Sequence, residues 1–183
     1  MRFPPDRVYA KPRRSIGRKI AIALVLAMMV LAAWLYGLWT DRREPVPIAG
    51  QPIRVSDGDS FMIGQRKLRL DGIDAPEFLQ SCKDAAGRDW PCGRTARAAL
   101  EKLLTQPGLA CDAEASDQYA RAIATCRSAT TADIAAAQVA DGMAVSDEFH
   151  SMRAYGAEED AARAAKRGIW QGEFIRPDIF RSQ

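Results

Sequence analysis

Residues 20–39 read IAIALVLAMMVLAAWLYGLW, 20 positions without one charged side chain. As a helix rising about 1.5 Å per residue, such a run is long enough to cross a hydrocarbon core about 30 Å thick. A helix that is apolar all round has no face to offer water, so the segment calls for lipid or for removal. Trp34, Tyr36 and Trp39 gather at its far end, where amphipathic rings favour the headgroup level. A cleavable signal peptide carries an apolar region of only about 7–15 residues followed by a small-x-small site. The nearest such triplet here, Leu31-Ala32-Ala33, opens with a bulky residue and lies inside the run. We therefore expect an uncleaved transmembrane signal-anchor helix over 20–39, with a cleaved and secreted form as the alternative.

Charge gives that helix a direction. The chain of 183 residues carries 26 Lys+Arg and 23 Asp+Glu, a net +3. Seven cations and one anion fall in residues 1–19, a net +6, and the other 19 cations and 22 anions leave −3 for everything after. The positive-inside rule then places the tail 1–19 in the cytoplasm and the chain beyond residue 39 outside it, periplasmic or at the cell surface. The overall basicity is accordingly no argument for a nucleic-acid partner. Residues 40–50, TDRREPVPIAG, read as a short extended linker. Residues 51–183 remain as one domain, long enough to bury a core of its own and too short for a multi-domain machine.

All four cysteines, at 82, 92, 111 and 126, lie beyond the span. Without a C-x-x-C pair, and with His150 the one histidine, zinc ligation is disfavoured. An even count in an oxidising compartment favours disulfides, for which three connectivities are open. Local pairing is the simplest: Cys82 with Cys92 around SCKDAAGRDWPC, and Cys111 with Cys126 across a hairpin centred on Gln118 and Tyr119.

Short, partly alternating segments at 53–55, 60–63 and 67–70, separated by Asp-Gly and Gly, predict an antiparallel meander. Ala96, Leu100, Leu103 and Leu104 predict a helix over 94–104, closed by Pro107-Gly108. Segments 109–113 and 121–126 predict a second hairpin. Two further helices are expected over 131–141, with Thr131 as cap, and over 152–167, each ending at a glycine. Five strands with three helices, preceded by one transmembrane helix, predict an α+β fold: a small closed five-stranded barrel of the oligonucleotide-binding (OB) type.

Three blocks concentrate charge where strands meet loops: Asp57-Gly58-Asp59-Ser60, then Arg69-Leu70-Asp71-Gly72-Ile73-Asp74-Ala75-Pro76-Glu77, then Asp117-Gln118-Tyr119-Ala120-Arg121. Strand alternation turns Leu68 and Leu70 inward and Arg69 away from the core, available to a ligand. Pro76 bends the second block so that Asp74 and Glu77 converge. With Asp59 they make an all-oxygen set suited to a hard cation such as Ca²⁺, and carboxylates held so close repel unless a cation lies between them.

These blocks, followed by an Ala/Glu-rich helix ending Arg167-Gly168-Ile169-Trp170, resemble the staphylococcal nuclease (thermonuclease) family over about residues 51–172. The resemblance implies an OB barrel with three helices and a Ca²⁺-dependent phosphodiesterase that cuts DNA or RNA to 3′-phosphates. By position it implies Asp59, Asp74 and the backbone carbonyl of Ala75 as Ca²⁺ ligands. It also implies Glu77 as general base, and Arg69 and Arg121 as phosphate-binding arginines. Ala120 stands where the family commonly has Gly, so a positive φ there would strain the turn. Tyr119 is a candidate to stack on a base. The expected partners are single-stranded nucleic acid and, through the helix, a membrane, with the domain monomeric. A nuclease-like barrel that binds nucleic acid without cutting it is the alternative, and a third reading gives the working role to the basic tail on anionic lipid.

Overall fold

The uncharged run is helical: α1 spans Ile16–Thr40 in the computed structural model of the chain, which describes residues 16–40, 43–116, 120–147 and 153–183. Within it Gly17–Leu35, 19 residues of mean hydropathy 2.0, is long and apolar enough to cross a membrane, and a signal sequence near an N-terminus meets the same test. Most of the basic tail lies outside the described residues. The chain divides into two units, Met1–Arg42 and Arg43–Gln183, and the second holds the rest of the regular structure.

That second unit opens with β1 (Glu44–Pro45), β2 (Ile53–Val55), β3 (Ser60–Ile63), β4 (Arg66–Leu70) and β5 (Ile73–Asp74). A loop bearing β6 (Cys82–Lys83) and β7 (Asp89–Trp90) leads into α2 (Cys92–Leu104), and β8 (Ala110–Ser116) and β9 (Ala122–Arg127) form the next hairpin. Then come α3 (Ile134–Ala140), β10 (Val145–Ser146), α4 (Gly156–Ala164), a 3-10 turn at Gly168–Gln171, and α5 (Pro177–Arg181).

Six strands make one mixed sheet in the order β1-β8-β9-β4-β3-β2. The meander β2-β3-β4 is antiparallel as its sequence predicts, and β9 runs parallel to β4, with Arg69 opposite Ile123. The expectation of a closed five-stranded barrel needs correction. Among the described residues no ladder joins the two ends of the sheet, because the outer edge of β8 is taken by β1, a sixth strand. The supposed linker supplies that strand: Glu44 pairs with Ala113, the Val46 N–H donates to the Cys111 carbonyl at 2.8 Å, and Val46 is buried in the core. Pro45 lacks an N–H and is tolerated because β1 is an edge. The folded body therefore starts at Arg43 rather than at residue 51.

The sheet closes over a core in which Phe61, Leu68, Leu70, Ile73, Leu100 and Ile134 are each at most 1% exposed. Ala96, Leu100 and Leu104, four residues apart, form the buried stripe of α2. Helix α3 starts later than expected, and its cap is Asp133 rather than Thr131. The Asp133 carboxylate accepts the Ala135 and Ala136 N–H groups at 2.9 and 3.1 Å, while the Thr131 hydroxyl bonds Gln106 at 2.8 Å. Helix α4 begins at Gly156, past the part of its expected span that is not described, and α5 is a fourth helix of the body beyond the three expected.

Both local disulfides are present, Cys82 with Cys92 and Cys111 with Cys126. Cys111 and Cys126 are direct partners in the register of β8 and β9, as a hairpin centred on residues 118 and 119 requires. That turn's Asp117, Gln118 and Tyr119, and His150, lie outside the described residues.

Candidate active site

The first carboxylate, Asp59, precedes β3 and is 2% exposed; Ser60, which starts the strand, lies opposite Arg69 on β4. Arg69 sits between buried Leu68 and Leu70 and so points off the core, as alternation predicts, yet it meets a cleft rather than open water. One guanidinium nitrogen contacts Asp59 Oδ2 at 2.8 Å and the other Asp74 Oδ1 at 2.7 Å, the latter also donating to the Ile73 carbonyl at 3.1 Å. Asp59 is held from its other sides by the Ser60 hydroxyl at 2.6 Å and the Ala75 N–H at 3.0 Å. Burial alone pulls the Arg69 pKa down, but Asp59 and Asp74 outweigh it and the net shift is upward. The guanidinium stays charged.

Two glycines let the acidic turns approach closely. A Cβ on Gly58 would lie 2.7 Å from both Ala75 and Ala96, so the Asp-Gly-Asp turn rests directly on the second acidic block and on α2. A Cβ on Gly93 would fall 1.7 Å from the Glu77 carbonyl oxygen, so only Gly lets the first turn of α2 carry the Glu77 loop. Buried Gln138 on α3 ties these pieces together, donating to the Gly58 carbonyl at 2.7 Å and the Ala96 carbonyl at 3.2 Å. Asp57 accepts the Phe78 N–H at 3.1 Å, and burial pushes its carboxyl up from the usual range against that bond. Strand β10 pairs with β5 beside Asp74, and the Ser146 N–H of β10 donates to buried Glu159 at 2.6 Å, so α4 braces Asp74 from behind.

Asp74 and Glu77 converge as the Pro76 bend predicts. Both contact one nitrogen of Arg181, at 2.9 Å from Asp74 Oδ1 and 2.8 Å from Glu77 Oε1, and the second nitrogen meets Asp74 Oδ2 at 2.8 Å. Hydrogen bonding and charge from these acids outweigh desolvation and raise the Arg181 pKa. The three carboxylates of the expected all-oxygen set are joined through arginines. Among the described residues no three of His, Cys, Asp and Glu form a metal-holding group; Arg69 joins Asp59 to Asp74 and Arg181 joins Asp74 to Glu77. The donors are nonetheless hard oxygens, two of the carboxylates are buried, and the set already gathers positive charge, so its chemistry fits a cation such as Ca²⁺.

Arg121 lines the same cleft, of about 1140 Å³, and donates to the Ser60 hydroxyl at 3.5 Å. Its neighbour Ala120 sits at φ +57°, the left-handed backbone that glycine adopts freely. Arg69, Glu77, Arg121, Asp59 and Asp74 thus all border one space, with Ala75 buried behind Asp59. Arg181 was not foreseen. It lies 107 positions from Asp74 in a short Arg-Pro-Asp segment with no motif spacing to mark it.

Comparison with known proteins places the chain in a family. The family model described as staphylococcal nuclease homologue matches residues 67–172. The succinoglycan biosynthesis protein ExoI of Rhizobium meliloti (strain 1021) is 32% identical over 145 residues, which are 79% of this chain and 74% of that protein. Asp59 lies before the residues matched by the family model, and Arg181 after them.

Proposed function

The chain belongs to the staphylococcal nuclease homologue family, and on that premise we propose that its cleft hydrolyses phosphodiester bonds of DNA or RNA, leaving 3′-phosphates. The observation that carries the reading is the convergence of Arg69, Arg121, Asp59, Asp74 and Glu77 on one cleft. In this reading the Asp59 and Asp74 carboxylates and the Ala75 carbonyl would hold Ca²⁺. When bound, the ion supplies Lewis-acid stabilisation of the charge that builds on a phosphoryl oxygen.

Glu77 accepts a proton from the attacking water as its oxygen bonds to phosphorus, and the bond from phosphorus to the 5′ oxygen breaks with that oxygen taking a proton from solvent to leave as a hydroxyl. Arg69 and Arg121 offer forked N–H donors to the other phosphoryl oxygens, from positions set before substrate arrives. Before the ion enters, ion pairs with Asp59 and Asp74 keep the Arg69 guanidinium at the wall of the cleft. Helix α1 tethers the enzyme with its basic tail in the cytoplasm and the catalytic unit outside, where the two disulfides are stable. The catalytic unit acts as a monomer.

The full chain in detergent is expected to cut labelled DNA or RNA with Ca²⁺ and to stop with a chelator. Arg69→Ala, Arg121→Ala and Glu77→Gln are each expected to lose about 10²–10³ in rate. Cleavage indifferent to chelator would remove the Ca²⁺ assignment. Binding without cleavage under saturating Ca²⁺ would favour a silent nucleic-acid-binding module instead.

A further inference from the structure

The last residues of the chain are built into the cleft. Past the 3-10 turn, the Lys83 N–H donates to the Glu173 carbonyl at 2.8 Å, and buried Gln80 donates to the Ile175 carbonyl at 2.6 Å. Phe174 packs edge-on against Trp170, 4.9 Å between centroids, beside the Cys82–Cys92 disulfide. The segment up to Ile175 is therefore pinned to the disulfide loop. Helix α5 is not: it buries only Pro177, Ile179 is 50% exposed, and the Arg181 side chain is 41% exposed. Its conspicuous attachment is the ionic one at its end, where the Arg181 fork takes both oxygens of Asp74 and one of Glu77.

Both oxygens of Asp74 are thereby engaged, since Oδ1 serves Arg69 and Arg181 together and Oδ2 serves Arg181. A divalent cation needs a carboxylate oxygen at about 2.3–2.6 Å, along directions that the guanidinium now fills. Two cations drawn to one carboxylate also repel each other. We infer that Arg181 is an internal competitor for the cation position. Its guanidinium and Ca²⁺ exclude each other at Asp74 and Glu77, and helix α5 is a strap that opens when the metal enters. The inference rests on the reading of Asp74 as a metal ligand. It gives the strap a second consequence, because Arg181 also holds Glu77 Oε1, so opening frees that carboxylate together with the metal position. Linkage makes the effect reciprocal: Ca²⁺ loosens α5 as much as α5 weakens Ca²⁺.

Calorimetric titration of CaCl₂ into the full chain in detergent micelles, wild type beside Arg181→Gln, reads the competition without any hydrolysis assay. Arg181→Gln is expected to bind Ca²⁺ about tenfold more tightly, within the range of about 5–150-fold usual for coupled sites. Amide exchange across residues 177–182 of the wild type is expected to speed up when Ca²⁺ is added. A chain lacking residues 177–183 should show the same gain in affinity, which separates lost competition from any new contact made by glutamine. Equal or weaker Ca²⁺ binding by both variants, with exchange unchanged, overturns the inference and leaves the phosphodiesterase reading standing. No Ca²⁺ binding by any of the three chains overturns the metal assignment and this inference with it.

Discussion

Ala120 and Arg121 show how much one backbone angle matters beside the cleft. Ala120 holds φ at +57° with a Cβ that the left-handed region disfavours by roughly 1–2 kcal/mol, offset in part by the smaller entropy of an unfolded chain with Ala in place of Gly. Ala120→Gly is accordingly expected to stabilise the protein by about 0.5–1 kcal/mol, read as a higher urea midpoint at unchanged slope. A lower midpoint would mean that the turn is not strained. The strain was legible in the sequence only as a condition, because a residue type states what an angle costs and its surroundings decide the angle. Asp74 and Glu77 were more legible: a proline between two acids bends the chain wherever it is placed, and the two side chains do meet at one nitrogen. The identity of that nitrogen was not legible, since nothing near residues 74–77 names Arg181.

At the scale of elements, local patterns located strands and helices to within a few residues and were weaker at their ends. Helix α3 is the instructive case. Both Thr131 and Asp133 are good cap residues, and the choice between them falls to the side chain left unoccupied. Thr131 is engaged by Gln106, while Asp133 reaches two N–H groups and also accepts the Tyr155 hydroxyl at 3.1 Å. Asp133→Ala is expected to cost about 1 kcal/mol or somewhat more in thermal or urea unfolding, and Thr131→Ala clearly less. The reverse order would return the cap to Thr131. The barrel expectation missed at the same scale for a related reason: a two-residue strand with a proline, Glu44–Pro45, carries no periodicity to read, yet it occupies the edge of β8.

For the whole molecule, the sign of the net charge means less than its distribution. The formal +3 combines a basic tail with a net-acidic remainder that contains the cleft, so substrate binding would lean on Arg69, Arg121 and a bound cation rather than on a broad basic surface. If α1 remains attached as an anchor, the chain should sediment with membranes, resist extraction by high salt, and be released by detergent. Recovery of a soluble chain whose N-terminus lies beyond residue 35 would establish a cleaved signal sequence instead. The two disulfides of the unit Arg43–Gln183 are in keeping with an oxidising compartment.

By itself the sequence determined whatever depends on a few neighbouring residues: the apolar helix, the meander, the bend between Asp74 and Glu77, and the outward side of Arg69, while it left local disulfide pairing as the simplest of three connectivities. Hydrogen-bonded ladders, turns and short covalent loops are local, so their rules can be read along the chain. Only the tertiary structure decided which strand takes the edge of β8, where Gly58 and Gly93 let backbones touch, and which cation neutralises the buried acids. A buried carboxylate must be compensated, but any guanidinium that packing brings within reach will serve. Arg69 serves Asp59 and Asp74 from the neighbouring strand, and Arg181, 107 positions from Asp74 along the chain, joins it because the Cys82–Cys92 loop, Gln80 and Trp170 guide the C-terminus back across the cleft.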